Sequence, residues 1–265
     1  MDHIRFHKYH GTGNDFVIIQ CERIESWMDE SWISGICDRH HGVGADGLIL
    51  ILPSEFADFK MKYYNADGKE GSMCGNGGRC ASAFAWKQKM TGKSMRFEAF
   101  DGLHESEILN HWRQITHVKI QLADVEGWQL TPNAILINTG SPHYVKQISD
   151  LDDIDVVAEG RKIRFDPSIS TEGVNVNFFK MHNGKIELRT YERGVETETL
   201  SCGTGVTAAA MAASLWYGGN NFDINMPGGK LRVEFISEKN RFSNVWLEGP
   251  AQYVFEGLIN TDFRW

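Results

Sequence analysis

The tetrapeptide Cys-Gly-x-Gly occurs twice in this chain, and each copy opens an alanine-rich stretch that reads as a helix. Cys74-Gly75-Asn76-Gly77 leads into residues 78–85, and Cys202-Gly203-Thr204-Gly205 into residues 206–213. The copies stand about half the chain length apart, each followed by strands and preceded by a strand and a turn. That repeat is the main constraint on folding. It calls for two similar α+β halves, each built around one central apolar helix.

The surroundings of the two helices can be read element by element. In the first half, Arg5 to His10 alternates and reads as a strand, with Phe16 to Ile19 the next and Leu48 to Leu52 a buried one. Ser31 to His40 reads as a short helix. Lys60 to Tyr64 is an alternating strand ending in the turn Asn65-Ala66-Asp67-Gly68. The first cysteine helix runs to about Met90, and strands over Met95 to Phe100, Ser106 to Leu109 and Val118 to Leu122 follow. In the second half, Ala134 to Ile137 and Asn175 to Lys180 read as strands, and Asn183-Gly184 as a hairpin turn. Lys185 to Tyr191 then feeds the polar loop Glu192 to Glu196 and the second cysteine helix, which Gly218-Gly219 stops. Strands over Leu231 to Ile236 and Val245 to Leu247 close the half. A boundary near residues 110–116 gives halves of 1–113 and 114–252. No low-complexity linker separates them, so they are expected to pack closely and form a cleft.

Composition excludes several classes. The chain has 265 residues, 42% of them hydrophobic and 23% charged, enough for a sizeable core. Its net charge of −8, without a run of Lys and Arg, argues against nucleic acid. No stretch approaches the apolar length of a membrane helix. Residues 1–10 carry charges throughout and no apolar run of the kind a secretory signal needs. The five cysteines, an odd number, fit reduced thiols better than a disulfide framework. The expectation is a cytosolic protein.

Each copy of the repeat puts a thiol beside the open N–H groups of a helix N-terminus. That setting lowers a thiol's pKa, and the same N–H groups can hold a carboxylate. Glycines next to the thiol let backbone N–H groups approach a ligand closely. Two such sites suit two opposed acid/base thiols with an anion held between them, the equipment for inverting a carbon stereocentre. One thiolate would take a proton from carbon and the other thiol would return one to the opposite face. Charge developing on the adjacent carboxylate would be stabilised by the helix N–H groups. Cys21 and Cys37 read instead as small buried hydrophobes. Cys74 and Cys80 lack a second Cys/His pair with zinc spacing, so no metal is expected. Residues 42–47 match Gly-x-Gly-x-x-Gly only formally. Helix-like sequence precedes them and a strand follows, the reverse of a dinucleotide-binding turn. No Schiff-base lysine or phosphate cup for pyridoxal phosphate can be picked out. No cofactor is expected.

On these and neighbouring motifs the chain resembles the diaminopimelate epimerases, cofactor-independent enzymes of lysine and peptidoglycan biosynthesis. The matching segments are residues 8–16, 38–47, Asn65-Ala66-Asp67-Gly68, 73–80, Gly140-Ser141-Pro142-His143, Val174-Asn175, Tyr191-Glu192-Arg193-Gly194 and Cys202-Gly203-Thr204-Gly205. They fall in family order and span nearly the whole chain. The resemblance implies an α/β fold of two pseudo-symmetric halves, each a curved sheet wrapped around its helix, with the active site in the cleft. It also implies that a last strand, about residues 253–265, returns to the first half. It makes Cys74 and Cys202 the catalytic acid/bases and gives Gly75, Asn76, Gly203 and Thr204 the carboxylate at the reacting centre. Asn14, Asn65, Asn175 and Arg193 would contact the substrate, Arg193 pairing the distal carboxylate through two parallel bonds. Glu192 would bind an ammonium group. His143 would sit close to the site, with Ser141 and Gly47 beside it.

The last two are departures from the family pattern. Gly47 stands where some members carry glutamine, and Ser141 replaces the asparagine of the usual Asn-Pro-His. The segment from Arg193 to Cys202 is one residue longer than that pattern. These bear on substrate selectivity and leave the two-thiol chemistry in place. The implied reaction is interchange of LL- and meso-2,6-diaminopimelate, and the partner is a small molecule; a homodimer stays open. A related two-cysteine racemase of another amino acid is the nearest alternative, although proline-racemase-like enzymes carry Cys-Gly-His-Gly where Cys74-Gly75-Asn76-Gly77 stands. An isomerase of the phenazine-biosynthesis type shares the fold without the cysteine pair. From another class, a non-catalytic thiol redox or metal-binding protein would hold zinc or a reversible disulfide.

Overall fold

Residues 75–87 and 203–217 form the helices expected at the repeated cysteines, and both are enclosed along most of their length. A computed structural model describes residues 3–131 and 133–262. Contacts divide the chain into one unit that runs to Ile120 and resumes at Gly249, and a second over Gln121–Glu248.

In the first unit β1 (His3–Gly11) and β2 (Asn14–Gln20) form a hairpin, and α1 (Glu30–Cys37) leads to β3 (Gly47–Leu52), parallel to β2. β4 (Phe59–Asn65) returns antiparallel to β3. α2 (Gly75–Lys87) then crosses to β5 (Ser94–Ala99), parallel to β4, and β6 (Gly102–Trp112) and β7 (Ile115–Gln121) follow antiparallel.

In the second unit β8 (Val125–Glu126) and β9 (Trp128–Thr131) precede the antiparallel pair β10 (Ala134–Asn138) and β11 (Pro142–Gln147). α3 (Val156–Arg164) leads to β12 (Asn175–His182), parallel to β11, and β13 (Lys185–Glu192) returns antiparallel. β14 (Thr197–Thr199) folds back on β13. α4 (Gly203–Tyr217) crosses to β15 (Asn221–Met226), parallel to β13, and β16 (Gly229–Glu238) and β17 (Arg241–Asn260) follow antiparallel. The order of senses from β10 to β17 is that of β1 to β7, so the two units are pseudo-symmetric copies of one plan. β17 serves both: residues 241–248 pair with β16, and residues 249–260 pair with β7 and β1. Of the strand expected at about 253–265, residues 263–265 lie outside the described residues.

Burial explains the plan. β3 is a run of six buried residues rather than an alternation, because a helix covers each face. Leu48, Leu50 and Leu52 pack with Trp32, Ile33 and Ile36 of α1. Ile49 points the other way, against Gly77 of α2. In the second unit Val176 and Phe178 pack with Val156 of α3, while Asn177 and Phe179 face Gly205 and Trp216 of α4. Each of the Leu, Ile, Val and Phe side chains among these contributes about 1.5–3 kcal/mol by leaving water. α2 and α4 are small-residue helices because a sheet closes over them.

Two ends differ from expectation. The helix expected over Ser31 to His40 stops at Cys37, because the Asp38 carboxylate accepts from the His40 and His41 N–H groups, both at 2.8 Å, and turns the chain. α2 stops at Lys87 rather than Met90. Lys89 takes a left-handed φ of 59°, and Lys89 and Met90 return N–H groups to Trp86 and Ala85. That is a Schellman ending with lysine where glycine is usual. α3 has no counterpart in the sequence reading. Its Asp155 cap, accepting from Ala158 N at 2.9 Å, is the signal available for it. Among the described residues, no helix is long and apolar enough to cross a membrane.

Candidate active site

Each repeated cysteine is the N-cap of its helix, in extended backbone conformation. α1 and α3 are capped by Asp29 and Asp155 side chains, and both carry a glutamate in the first turn. α2 and α4 have no side-chain cap and no acid in the first turn. Their first-turn N–H groups are thus presented without a local carboxylate, which suits an anionic ligand. The glycines serve close packing there. A Cβ on Gly205 would lie 2.5 Å from Asn177 Oδ1 and 3.3 Å from Cys202 Sγ.

In the first unit the β1–β2 turn brings Asn14 to Cys74. Thr12 and Gly13 form a two-residue turn with φ of 52° and 90°, both left-handed. Asn14 Oδ1 lies 3.6 Å from Cys74 Sγ and accepts from Asn76 Nδ2 at 3.2 Å. Asn14 Nδ2 donates to Asp46 at 2.8 Å. Asn76 Oδ1 accepts at 2.9 Å from Arg79, a fully buried guanidinium that also donates to the Gly75 carbonyl at 3.2 Å. Burial pushes Arg79 down to about 10. Asp46 is held in turn by Arg39 at 2.7 Å, and Asp15 by Arg39 and by buried Lys8 at 2.8 and 2.6 Å. Burial alone would raise the Asp15 carboxyl, but Arg39 and Lys8 together hold it well below the usual carboxylate range.

In the second unit the partner of Cys202 is Thr204, with Oγ1 3.5 Å from Sγ. Thr204 Oγ1 is 2.9 Å from His143 Nε2, and the Thr204 carbonyl accepts from Thr139 at 2.8 Å. Fully buried His143 meets Asn177 Nδ2 at 2.9 Å through Nδ1 and Ser141 Oγ at 3.3 Å through Nε2. Burial, with a lesser push from Arg193, lowers its pKa to about 3, so the ring is neutral. Asn175 donates to Ser141 Oγ at 2.6 Å and to the Pro142 carbonyl at 3.3 Å, and its Oδ1 accepts from Arg193 N at 2.8 Å. That fixes the start of the loop carrying Arg193, whose guanidinium makes no hydrogen bond or ion pair among the described residues.

A family model described as diaminopimelate epimerase matches residues 6–124 and 135–254. A diaminopimelate epimerase from Flavobacterium psychrophilum is 44% identical over 261 residues, covering 97% of this chain and all of the relative. The chain belongs to the diaminopimelate epimerase family.

It is therefore an isomerase, and the family's activity is epimerisation of diaminopimelate in lysine biosynthesis. Solved structures at lower identity share the fold. A phenazine biosynthesis protein of the PhzF family from Bacillus anthracis superimposes with a TM-score of 0.73 at 14% identity, covering 98% of this chain and 100% of that one. A probable proline racemase from Agrobacterium radiobacter gives 0.73 at 14% identity, covering 98% and 93%.

Within this family member the departures have local explanations. A Cβ at Gly47 would lie 2.4 Å from the Tyr64 carbonyl and 2.5 Å from the Tyr63 ring. The tyrosine occupies the space a longer residue would need. Ser141 supplies the hydroxyl that ties Asn175 to His143. In the longer segment Glu196 takes a left-handed φ of 59° and binds Arg164, Tyr191 and Gly194 N, folding the extra length onto β13. Asn65 sits exposed at the end of β4, paired in register with Gly47. Glu192 ends β13. Gly75 and Gly203 are the first helical residues after the two cysteines. Sequence reasoning gave no role to Asp46, Arg79, Asn177 or Thr139. Arg79 had a signal, being the one charge among the small and uncharged residues that run from Gly75 to Ala83.

Proposed function

We propose that Cys74 and Cys202 are the two acid/base groups that interconvert LL- and meso-2,6-diaminopimelate in the cytosol. The observation that carries this reading is a single device built twice. Each unit places a cysteine at the entrance of a buried, glycine-rich helix whose first turn holds no acid. Inversion at carbon needs a base that removes the α-proton and an acid that returns one on the other face, and a thiolate and a thiol supply both. The N–H groups of Gly75, Asn76, Gly203 and Thr204 stabilise charge arriving on the α-carboxylate. Arg193, whose guanidinium has no hydrogen-bond or ion-pair partner among the described residues, takes the distal carboxylate. Asn14, Asn65, Asn175 and Glu192 take the polar groups that remain.

Proton NMR in D₂O with reduced protein and LL-diaminopimelate tests the reaction. The expected result is conversion to the meso isomer with deuterium entering at one α-carbon and no added cofactor. Folded protein that gives neither exchange nor conversion would reject the substrate. Cys74→Ala and Cys202→Ala should each abolish turnover; wild-type-like activity in either variant would remove the two-base reading.

A further inference from the structure

The two units surround their cysteines with hydrogen bonds of opposite direction. In the first unit the direction is set by charged groups at both ends of a relay. Arg79 can only donate, so the atom of Asn76 facing it is the carbonyl oxygen, and Nδ2 faces Asn14. Carboxylate Asp46 can only accept, so Asn14 turns Nδ2 to it and Oδ1 toward Asn76 and Cys74. An amide oxygen facing Cys74 Sγ is met by a protonated sulfur. Flipping Asn14 would break the contacts to Asp46 and Asn76 together.

In the second unit the direction reverses. Asn177 Oδ1 accepts from Thr190 at 3.0 Å, and its Nδ2 points to the Tyr144 carbonyl and to His143 Nδ1. The neutral imidazole therefore accepts at Nδ1 and carries its hydrogen on Nε2, donating it to Thr204 Oγ1. The Thr204 hydroxyl hydrogen is then directed at Cys202 Sγ, and a donor favours an ionised sulfur.

We propose that in the substrate-free enzyme Cys202 is the thiolate and Cys74 the thiol, set by these opposed hydrogen-bond directions. The proposal rests on the two cysteines being the acid/base pair. Asp46, Asn14 and Arg79 are positioning residues on one side, and His143, Asn177 and Thr204 on the other. The charged and titratable groups that bear on Cys74 are Arg79 and buried Cys80 on α2, whose thiol is pushed up by burial, and Asp46 before β3 acting through Asn14. Lys8 and His10 on β1, Asp15 on β2 and Arg39 after α1 lie beyond Asp46. Lys8 and Arg39 are paired with Asp15 and Asp46. Arg79 works toward ionising Cys74, but its donors go to Gly75 and Asn76 rather than to sulfur. Beside Cys202, through Thr204, stands neutral His143 on β11, and Arg193 beyond β13 acts on that ring.

The test is the pH dependence of alkylation. Reduced, substrate-free protein is treated with limiting iodoacetamide over a pH series, and each cysteine peptide is quantified by mass spectrometry. Cys202 is the more buried of the two, so access alone would favour Cys74, and the midpoints are compared rather than the rates. The expected result is a midpoint for Cys202 at least about one pH unit below that for Cys74. Thr204→Val should raise the Cys202 midpoint alone, Thr204→Ser should restore it, and Asp46→Asn should lower the Cys74 midpoint by freeing Asn14 to turn. Equal midpoints, or a lower one for Cys74, would overturn the assignment. Because no turnover is read, failure here is distinct from failure of the two-base reaction, which the alanine variants report.

Discussion

Replacing His143 by phenylalanine separates the packing role of this position from its polar role. The parallel ladders pair Phe16 with Gly47 in one unit and His143 with Asn175 in the other, so Phe16 is the structural counterpart of His143 and is equally buried. A phenyl ring is thus already tolerated at this point of the plan. His143→Phe removes the contacts to Thr204, Asn177 and Ser141. Ser141 keeps Asn175 and Thr204 keeps Cys202, whereas Asn177 Nδ2 retains only the Tyr144 carbonyl at 3.5 Å. One orphaned buried donor costs about 1–3 kcal/mol, so that loss of stability is expected near pH 8. Turnover should fall roughly tenfold as Thr204 loses the donor that directs its hydroxyl. Acid pH then reverses the comparison. His143 titrates near 6.5 unfolded and is pushed to about 3 in the fold. Between those values the unfolded chain binds the extra proton, so wild-type stability falls as pH drops through that window. The variant has no such proton, and the gap between the proteins should narrow from about pH 8 to about pH 5. Urea unfolding at a series of pH values, with the slope held as a control, reads the gap. A gap that stays constant or widens toward acid would refute the burial of a neutral imidazole, and no loss at pH 8 would refute the orphaned donor.

Three further substitutions probe other parts of the molecule. Arg193→Lys should raise KM with little change in kcat, because an ammonium cannot reproduce the planar fork; an unchanged KM would remove Arg193 from the distal carboxylate. Asp15→Asn should lower stability at neutral pH by up to about 3 kcal/mol, since buried Lys8 loses its ion pair. Because the folded Asp15 carboxyl lies below its unfolded value of 3.8, its contribution is present above that value and lost as pH falls. The variant's melting temperature should therefore drop less steeply in acid, and parallel acid limbs would count against the assignment. Gly160→Ala would place a Cβ 2.4 Å from Tyr191 Cβ, which should displace α3 and cost about 1–3 kcal/mol in thermal unfolding. Unchanged melting would show that the contact yields freely.

The features legible in the sequence were those written in backbone geometry and small residues. The Cys-Gly-x-Gly repeats marked both helix starts, Asn183-Gly184 marked the β12–β13 hairpin, and Gly218 marked the end of α4. Leu48 to Leu52 read as a buried strand because no polar residue interrupts it. Features decided by tertiary contact were less legible. The left-handed Lys89 that ends α2 has no local signature, since lysine at that position is unfavourable and only the returned hydrogen bonds select it. β11 is absent from the strands read in the sequence, because its inward His143 breaks the apolar pattern and is satisfied by Asn177 and Thr204, far along the chain. Asp46 read as part of a glycine-rich turn, and its hold on Asn14 depends on β2 lying beside β3.

Duplication gives this fold two equivalent thiol sites, yet a two-base inversion needs inequivalent ones, a base and an acid at the same moment. The inequivalence lies in the residues that differ between matching positions. Asn76 occupies in α2 the place of Thr204 in α4, and Phe16 on β2 that of His143 on β11. Ile49 on β3 stands where Asn177 stands on β12. An apolar pair behind Asn76 leaves it to be oriented by Arg79, whereas a polar pair behind Thr204 delivers a donor to it. The backbone plan can be held fixed while three side chains decide which sulfur keeps its proton. Exchanging them one unit at a time, beginning with His143→Phe and Thr204→Asn, should therefore move the alkylation midpoints of Cys74 and Cys202 toward each other before it unfolds the protein.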